Sequence, residues 1–130
     1  MYTFIMEKKV KVLLVEDEPE LRDLYRELLS LEYEVEVAKD GEEGLVMLAK
    51  GGFSVVLLDM MMPKLDGVGF LTKRKTMQGL NSIPVIVMSN LRQDEVVKEC
   101  FALGAKYYIQ KADITPDKIV AVLSEIMGKK

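Results

Sequence analysis

The sequence predicts an α/β domain in which a five-stranded parallel sheet carries helices on both faces. Two observations lead to this fold class. Short apolar runs rich in Val, Ile and Leu alternate with segments whose apolar residues recur at helical spacing. Several of the runs are almost uninterrupted, as is usual for strands buried on both faces of a sheet. Five such units in strict alternation favour a doubly wound sheet.

The predicted strands are short, and all but the second end abruptly at a polar or charged residue with possible chemistry. In chain order they are Val10–Val15, Tyr33–Ala38, Ser54–Leu58, Pro84–Met88 and Lys106–Gln110. Parallel α/β folds bind ligands at the carboxyl ends of their strands, near the point where strand order reverses. The residues that follow the strands are therefore the candidates for chemistry.

The helical segments show apolar faces and recognisable ends. The clearest predicted faces are Leu21, Leu24, Tyr25 and Leu28; Val97, Cys100, Phe101 and Gly104; and Ile119, Val122, Leu123 and Ile126. Weaker helices fit Gly41–Lys50 and Gly67–Lys75. Pro19 follows Glu18 at the start of the first helix, and Thr115 is placed as an N-cap before the last. Gly104 is placed to end the fourth helix in a left-handed cap.

Composition limits the classes of function. With 130 residues, 49% of them apolar, the chain fits one globular domain. A net charge of −3 without a basic stripe argues against direct nucleic-acid binding. No apolar run is long enough to cross a bilayer, so we expect no membrane contact and a cytoplasmic location. The lone Cys100 fits a small buried residue in a reducing compartment.

The chain contains no histidine, which excludes histidine-based catalytic triads, histidine-ligated zinc and a phosphohistidine of its own. Polar groups at the strand ends offer different chemistry. Glu16 and Asp17 follow the first strand, Asp59 the third, Ser89 the fourth and Lys111 the fifth. Three adjacent carboxylates repel one another unless a cation lies between them, and all-oxygen ligands suit Mg²⁺. One carboxylate can then attack a phosphoryl donor and form an acyl phosphate.

Four segments carry a resemblance to a known family: Leu13–Pro19, Leu57–Gly67, Val85–Ser89 and Gly104–Lys111. In order and spacing they resemble the receiver domain of bacterial response regulators, in particular the single-domain chemotaxis receivers. The resemblance implies a flavodoxin-like sheet with strand order 2-1-3-4-5. It also implies a division into a lead-in at residues 1–9, a receiver domain at 10–127 and a tail at 128–130. Because almost nothing follows Met127, we expect either a stand-alone receiver that signals by docking to another protein or a receiver excised from a longer protein.

The resemblance implies a role for each residue of the site. Asp59 corresponds to the phosphoacceptor, and Glu16 and Asp17 to the acidic pair that binds Mg²⁺. Met61 is expected to add a backbone carbonyl ligand to the metal.

Three further residues correspond to the switching machinery of the family. Ser89 resembles the hydroxyl residue that moves towards the phosphoryl group, and Lys111 the lysine that pairs with Asp59 and later with its phosphate. Tyr108 occupies the position of the aromatic ring that turns inward when the hydroxyl residue moves.

The implied function is a signalling switch that catalyses its own phosphorylation and dephosphorylation, and not an enzyme acting on small substrates. The resemblance implies that the phosphoryl group comes from the phosphohistidine of a sensor histidine kinase or a histidine phosphotransfer protein. Because this chain has no histidine, that phosphohistidine must belong to a partner. The output surface would be the fourth helix, fifth strand and fifth helix, docking an unknown downstream protein. We expect a monomer or a weak dimer.

Three departures from the family pattern lie near the site. Lys111 precedes Ala112 where the family usually has proline, often after a cis bond, so the loop is either trans and reshaped or strained. Asn90 is bulkier than the usual residue and either hinders access or bonds the phosphate. Met61 and Leu91 are apolar and cannot orient water, which predicts a long-lived acyl phosphate.

Several alternatives compete with this interpretation. A haloacid-dehalogenase-like enzyme would use an aspartyl nucleophile, but it requires a second acid where Met61 stands. A degenerate receiver would serve only in protein contacts. Glu16 and Asp17 would also suit a helix N-terminus, and Tyr108 an ordinary half-buried strand position. Asp66 is interpreted as a helix start and not as a metal ligand.

Overall fold

Strands and helices alternate along the part of the chain that the structure, a computed structural model, describes: residues 10–62, 64–90 and 93–127. The strands are β1 (Lys11–Val15), β2 (Glu34–Ala38), β3 (Val55–Asp59), β4 (Val85–Ser89) and β5 (Tyr107–Gln110). The helices are α1 (Pro19–Leu29), α2 (Gly41–Lys50), α3 (Gly67–Lys75), α4 (Asp94–Ala102) and α5 (Pro116–Met127), and a single 3-10 turn, Lys111–Asp113, follows β5. Each predicted strand is confirmed to within one residue at either end.

The five strands form one sheet in the order β2-β1-β3-β4-β5, and all neighbouring pairs are parallel. This confirms the predicted order. The chain leaves β1 for β2 on one side and returns to β3 on the other, so the strand order reverses between β1 and β3. Val15 lies opposite Leu58, and Asp59 lies opposite Met88. The ends of β1 and β3 therefore open side by side at the place where such sheets bind ligands.

Alternate residues of each strand pack into two separate cores. In β1, Leu13 and Val15 contribute to the core beneath α2, α3 and α4, whereas Val12 and Leu14 contribute to the core beneath α1 and α5. The strand period of two explains this division, because successive side chains point to opposite faces. The sheet is thus covered on both sides, as the uninterrupted apolar runs predict.

Two of the predicted helix faces are wrong in part. Leu24 of α1 is 48% exposed and Phe101 of α4 is 47% exposed. In α4 the buried line contains Cys100, with Val96 and Leu103 packed partly against the same core. Apolar residues cover a wide arc of this helix, so spacing alone does not decide which edge of the arc faces the sheet.

The predicted helix ends are confirmed. Asp66 caps α3, since its Oδ1 accepts a hydrogen bond from the backbone N–H of Gly69 at 2.9 Å. Thr115 Oγ1 accepts the N–H of Lys118 at 3.2 Å. Gly104, with a φ of 105°, follows α4 in the conformation that favours glycine. Cys100 is buried, and its burial raises the pKa of the thiol to about 11.

Within the described ranges, no helix has both the length and the apolar composition needed to cross a bilayer. The lead-in at 1–9, the tail at 128–130 and Leu91 lie outside the described residues. The proposed domain limits at residues 10 and 127 therefore remain predictions.

Candidate functional site

A pocket of about 340 Å³ opens at the carboxyl ends of the strands, on the edge of the sheet that the sequence predicts. Its lining consists mainly of charged and polar side chains: Asp17, Glu18, Asp59, Met61, Asn90 and Lys111. The pocket joins residues from four separate strand ends. Glu16 is fully buried and, although it does not line the pocket, it contacts the Lys111 ammonium.

The backbone around β1 fixes the Glu16 carboxylate. Its own N–H donates to Ala38 O at 3.0 Å and so extends the pairing of β1 with β2 by one residue. Its Oε2 accepts the N–H of Glu18 at 3.2 Å, and its carbonyl accepts a hydrogen bond from the Arg22 side chain at 3.0 Å. These bonds hold a buried carboxylate that would otherwise be costly to desolvate.

Lys111 is the cation of the site. Its Nζ lies 3.2 Å from Asp59 Oδ1 and 3.2 Å from Glu16 Oε1, and Glu18 Oε1 is 3.9 Å away. Lys111 is the first residue of the 3-10 turn, and the described residues include no cis peptide bond. The loop before Ala112 is therefore trans, and Lys111 still reaches Asp59. Of the two alternatives for this loop, the trans one is therefore confirmed.

Asp59 has a strongly perturbed acidity. Burial, followed by the charge of Glu16, raises the pKa of its carboxyl from 3.8 to about 7, against the opposing effect of Lys111. For Lys111, burial by itself would lower the pKa, but the charges of Asp59 and Glu16 outweigh it and raise the pKa. In the absence of a further cation, the site thus holds more negative charge than one ammonium balances.

The residues present fit a divalent metal. Glu16, Asp17 and Asp59 each offer an oxygen, and these oxygens lie within 4.8 Å of one another. Opposite ligands of Mg²⁺ are separated by about 4.2 Å, so small side-chain shifts would bring the three to a common ion. Glu16 Oε1 is buried and makes no hydrogen bond among the described residues, although it lies 3.2 Å from the Lys111 Nζ. A buried carboxylate oxygen paired only with an ammonium, beside two more carboxylates, leaves negative charge that a divalent cation would balance.

The other predicted residues occupy different positions around the site. Ser89 is buried at the end of β4, beside Met88, which pairs with Asp59, but the described lining of the pocket does not include it. Met61 lines the pocket and its N–H donates to Asp59 Oδ1 at 3.3 Å. Tyr108 is half-buried in β5 and packs against the core beneath α4. Metal ligation by the Met61 carbonyl and switching by Ser89 and Tyr108 remain predictions.

Sequence reasoning missed one residue of the pocket. Glu18 was interpreted only as the residue before the first helix, and it is indeed the N-cap of α1. Its side chain, however, makes no capping bond; it is 62% exposed and lies at the pocket, near Lys111. The available signal was the run of three acids, Glu16 to Glu18, directly after a buried strand.

Comparisons with known proteins agree with this geometry. The family model described as the response regulator receiver domain matches residues 12–124. A gliding motility regulatory protein of Myxococcus xanthus is 32% identical over 120 residues, which are 92% of this chain and 15% of the relative. The transcriptional regulatory protein RprY of Bacteroides fragilis is 33% identical over 129 residues, covering 96% of this chain and 54% of the relative. The chain thus spans about half the length of the second relative and much less of the first.

Solved structures give the same result. The chemotaxis protein CheY4 of Vibrio cholerae superposes with a TM-score of 0.84 at 28% identity, covering 91% of this chain and 98% of that one. A CheY-like receiver domain protein from Methanospirillum hungatei has a TM-score of 0.84 at 25% identity, covering 91% and 93%. With the family match across most of its length, this chain belongs to the response regulator receiver domains, the signalling switches of two-component systems.

Proposed function

We propose that this receiver accepts a phosphoryl group on Asp59 from a phosphohistidine of a partner kinase or phosphotransfer protein, in a reaction that depends on Mg²⁺. The observation that carries the proposal is the pocket itself. It brings Asp17, Asp59 and Lys111 together from three strand ends, with Glu16 buried against the same ammonium. A cytoplasmic setting belongs to the proposal and rests on the family assignment alone.

Asp59 is suited to act as the nucleophile. A carboxylate needs no general base, but the high pKa of Asp59 means that the group is partly protonated near pH 7 when no metal is present. Glu16, Asp17 and Asp59 would hold Mg²⁺. When bound, the ion supplies positive charge that favours the ionised carboxylate and balances the incoming phosphoryl oxygens.

In the transfer step, an oxygen of the Asp59 carboxylate forms a P–O bond to the donor phosphorus. The P–N bond to the donor imidazole breaks, and its electron pair remains on the imidazole nitrogen, which leaves as histidine. Lys111 already lies 3.2 Å from Asp59 Oδ1 and can donate to a phosphoryl oxygen as charge accumulates there. The buried hydroxyl of Ser89, at the adjacent end of β4, is the candidate second donor.

Phosphorylation adds about two negative charges and three strong acceptor oxygens, so it changes which partners Lys111 and Ser89 prefer. We propose that this change biases α4 and β5 between two arrangements and so controls the docking of a downstream protein. Tyr108 lies half-buried in β5, next to this surface, as the proposed switch residue. The oligomeric state in the proposal is a monomer or a weak dimer.

The test is intact mass spectrometry after incubation with acetyl phosphate, with and without Mg²⁺. We expect the wild type to gain the mass of one phosphoryl group only with Mg²⁺, and Asp59→Asn to gain none. Asp66→Asn is the matched control, because Asp66 is an exposed cap of α3 and Asn caps helices equally well. If the wild type gains no phosphoryl mass under conditions that preserve acyl phosphates, the proposal is contradicted. That result would favour a receiver that acts only through contacts with other proteins.

The same samples test the lifetime of the acyl phosphate. Met61 is apolar and lines the pocket, so it offers a hydrolytic water no hydrogen-bonding side chain. We expect the phosphorylated mass to persist for minutes or longer at neutral pH after the donor is removed. Loss of half the label within seconds would contradict this expectation.

A further inference from the structure

Glu18 differs from the other acids of the site in both exposure and contacts. Glu16 and Asp59 are buried, whereas the Glu18 side chain is 62% exposed and lies at the pocket. It is the N-cap of α1 but makes no capping hydrogen bond with its carboxylate. Its Oε1 instead lies 3.9 Å from the Lys111 Nζ. The side chain therefore has no evident task in holding the helix.

The position of Glu18 matters because of the charge around it. When all four carboxylates are ionised, Glu16, Asp17, Glu18 and Asp59 leave the site with a net charge of about −3 beside the single ammonium, or about −1 with a divalent cation. Without the charge of Glu18 the cation-loaded site would be neutral. An incoming phosphodonor is itself an anion, so the exposed carboxylate at the pocket is the one that it approaches first.

Glu18 also competes for the group that the phosphoryl oxygens need. Lys111 has three N–H donors, and among the described residues its ion-pair partners are the carboxylates of Glu16, Glu18 and Asp59. A phosphoryl group on Asp59 must take over at least one of these contacts. The exposed ion pair with Glu18 is the weakest of them and the one a partner protein can reach from solvent.

We propose that Glu18 is a specificity-determining residue, which disfavours free anionic phosphodonors and favours a protein donor that presents a Lys or Arg side chain beside its phosphohistidine. This inference rests on the proposed phosphorylation of Asp59 and adds the chemistry of the donor to it. A cation from the donor would neutralise Glu18 and release Lys111 for the phosphoryl group. A small donor such as acetyl phosphate brings no such cation and meets the full repulsion.

The test measures the rate of phosphoryl gain at saturating Mg²⁺ with two small donors, acetyl phosphate and the less negatively charged phosphoramidate. With acetyl phosphate at low salt, we expect Glu18→Gln to react about threefold to tenfold faster than wild type. Glu18→Lys, which supplies the cation within the chain, should be faster still. With phosphoramidate, the increase in rate over wild type should be smaller for both variants. In 1 M salt the increase should largely vanish with either donor, because the Debye length is then about 3 Å.

Two controls separate charge from structure. Glu18→Asp keeps the charge and should react at close to the wild-type rate, and Glu20→Gln removes an exposed acid of α1 away from the pocket and should have no effect. A structural disturbance would change both donors equally and would not depend on salt. If Glu18→Gln is no faster than a wild type that takes up phosphate, the role of Glu18 is overturned while the proposed function stands. If the wild type takes up no phosphoryl group, both the role of Glu18 and the proposed function are contradicted.

Discussion

Two cationic side chains lie deep in this domain, at opposite ends of strands β4 and β5, and their surroundings have little in common. Lys111, after β5, is surrounded by the carboxylates of Glu16, Glu18 and Asp59. Arg74, near the end of α3, is only 2% exposed and donates to three backbone carbonyls, those of Leu80, Ile83 and Gly104. No carboxylate among the described residues forms an ion pair with Arg74, and its burial lowers the pKa of the guanidinium.

The chemistry of each cation matches what its surroundings allow. A lysine ammonium is a compact charge on a flexible stem, and it can exchange one carboxylate for a phosphoryl oxygen with a small movement. An arginine fork is planar and fixes several acceptors at once. Arg74 therefore ties the loop before β4 to the segment after α4, whereas Lys111 is held by partners that it can leave. The contacts at the Arg74 end of the sheet are therefore fixed, whereas those at the Lys111 end can exchange.

The largest change in stability is expected at the fixed end. Arg74→Ala removes the guanidinium donors to three carbonyls, of which Leu80 O keeps the N–H of Ile83, and it also removes a packed stem. We therefore expect the free energy of unfolding to fall by about 3–4 kcal/mol. Phosphorylation of the remaining folded protein should be unchanged. Lys75→Ala, at the exposed neighbouring position, is the control for urea unfolding. Equal midpoints for the two variants would show that the Arg74 contacts contribute little.

At the exchangeable end, the expected effect is on rate. Lys111→Met keeps the length of the side chain but removes the donor to the phosphoryl group, so phosphoryl transfer should slow about 100-fold, which corresponds to about 2.7 kcal/mol. Its effect on unfolding should be smaller than that of Arg74→Ala, because the carboxylates can take up protons. Lys106→Met, an exposed lysine before β5, should react like wild type. A Lys111→Met protein that reacts within about threefold of wild type would remove Lys111 from the mechanism.

The charge of the site should also be visible in the pH dependence of stability. The pKa of Asp59 is about 7 in the folded protein, above its ordinary value of 3.8, so the folded state is favoured when Asp59 is protonated. The contribution of Asp59 to stability is therefore fully present below pH 4 and is lost as the pH rises towards 7. Without Mg²⁺, the free energy of unfolding of Asp59→Asn should exceed that of the wild type by about 2 kcal/mol at pH 8. At pH 4 the two free energies should be equal.

Urea unfolding of both proteins across this pH range gives the measurement. Mg²⁺ should narrow the difference at pH 8, because it favours the ionised Asp59 and raises the stability of the wild type. A difference that is the same at pH 4 and pH 8 would mean that Asp59 is not held at a raised pKa.

The smallest effect is expected at Gly104. A methyl group there would lie 2.6 Å from the Arg74 Nη2, and the φ of 105° is unfavourable for alanine. We expect Gly104→Ala to lower the free energy of unfolding by about 1.5 kcal/mol without changing phosphorylation. Arg74→Ala removes the atom that opposes the new methyl group. In that background, Gly104→Ala should therefore lower the free energy of unfolding by less than it does in the wild type. Strict additivity in this double-mutant cycle would show that the two residues do not interact.

The two ends also differ in how well the sequence predicts them. Polar residues that terminate apolar strands must meet at one edge of a parallel sheet. This principle is enough to bring Glu16, Asp17, Asp59 and Lys111 together from the sequence. No comparable rule drew attention to Arg74. Its spacing from Phe70 and Leu71 places it on the buried face of α3, but a long cationic residue at such a spacing is usually assumed to reach solvent.

Elsewhere the sequence determines elements better than contacts. The doubly wound sheet and the helix ends follow from alternation, capping residues and glycine placement, which are local signals, whereas the strand order came from the resemblance to receiver domains. The exposure of Phe101, the trans loop after Lys111 and the position of the Glu18 side chain depend on how distant elements pack. Local periodicity does not contain that information, and these were the points at which prediction failed or stayed open.

The ion pair between Glu16 and Lys111 joins residues 95 positions apart. During synthesis from the N-terminus, the three acids after β1 leave the ribosome long before the lysine that balances them. Until β5 takes its place at the edge of the sheet, the nascent chain holds a carboxylate cluster with no ammonium beside it. We therefore expect β5 and its lysine to be needed for the final folding step, and metal ions present during translation to speed completion of the domain.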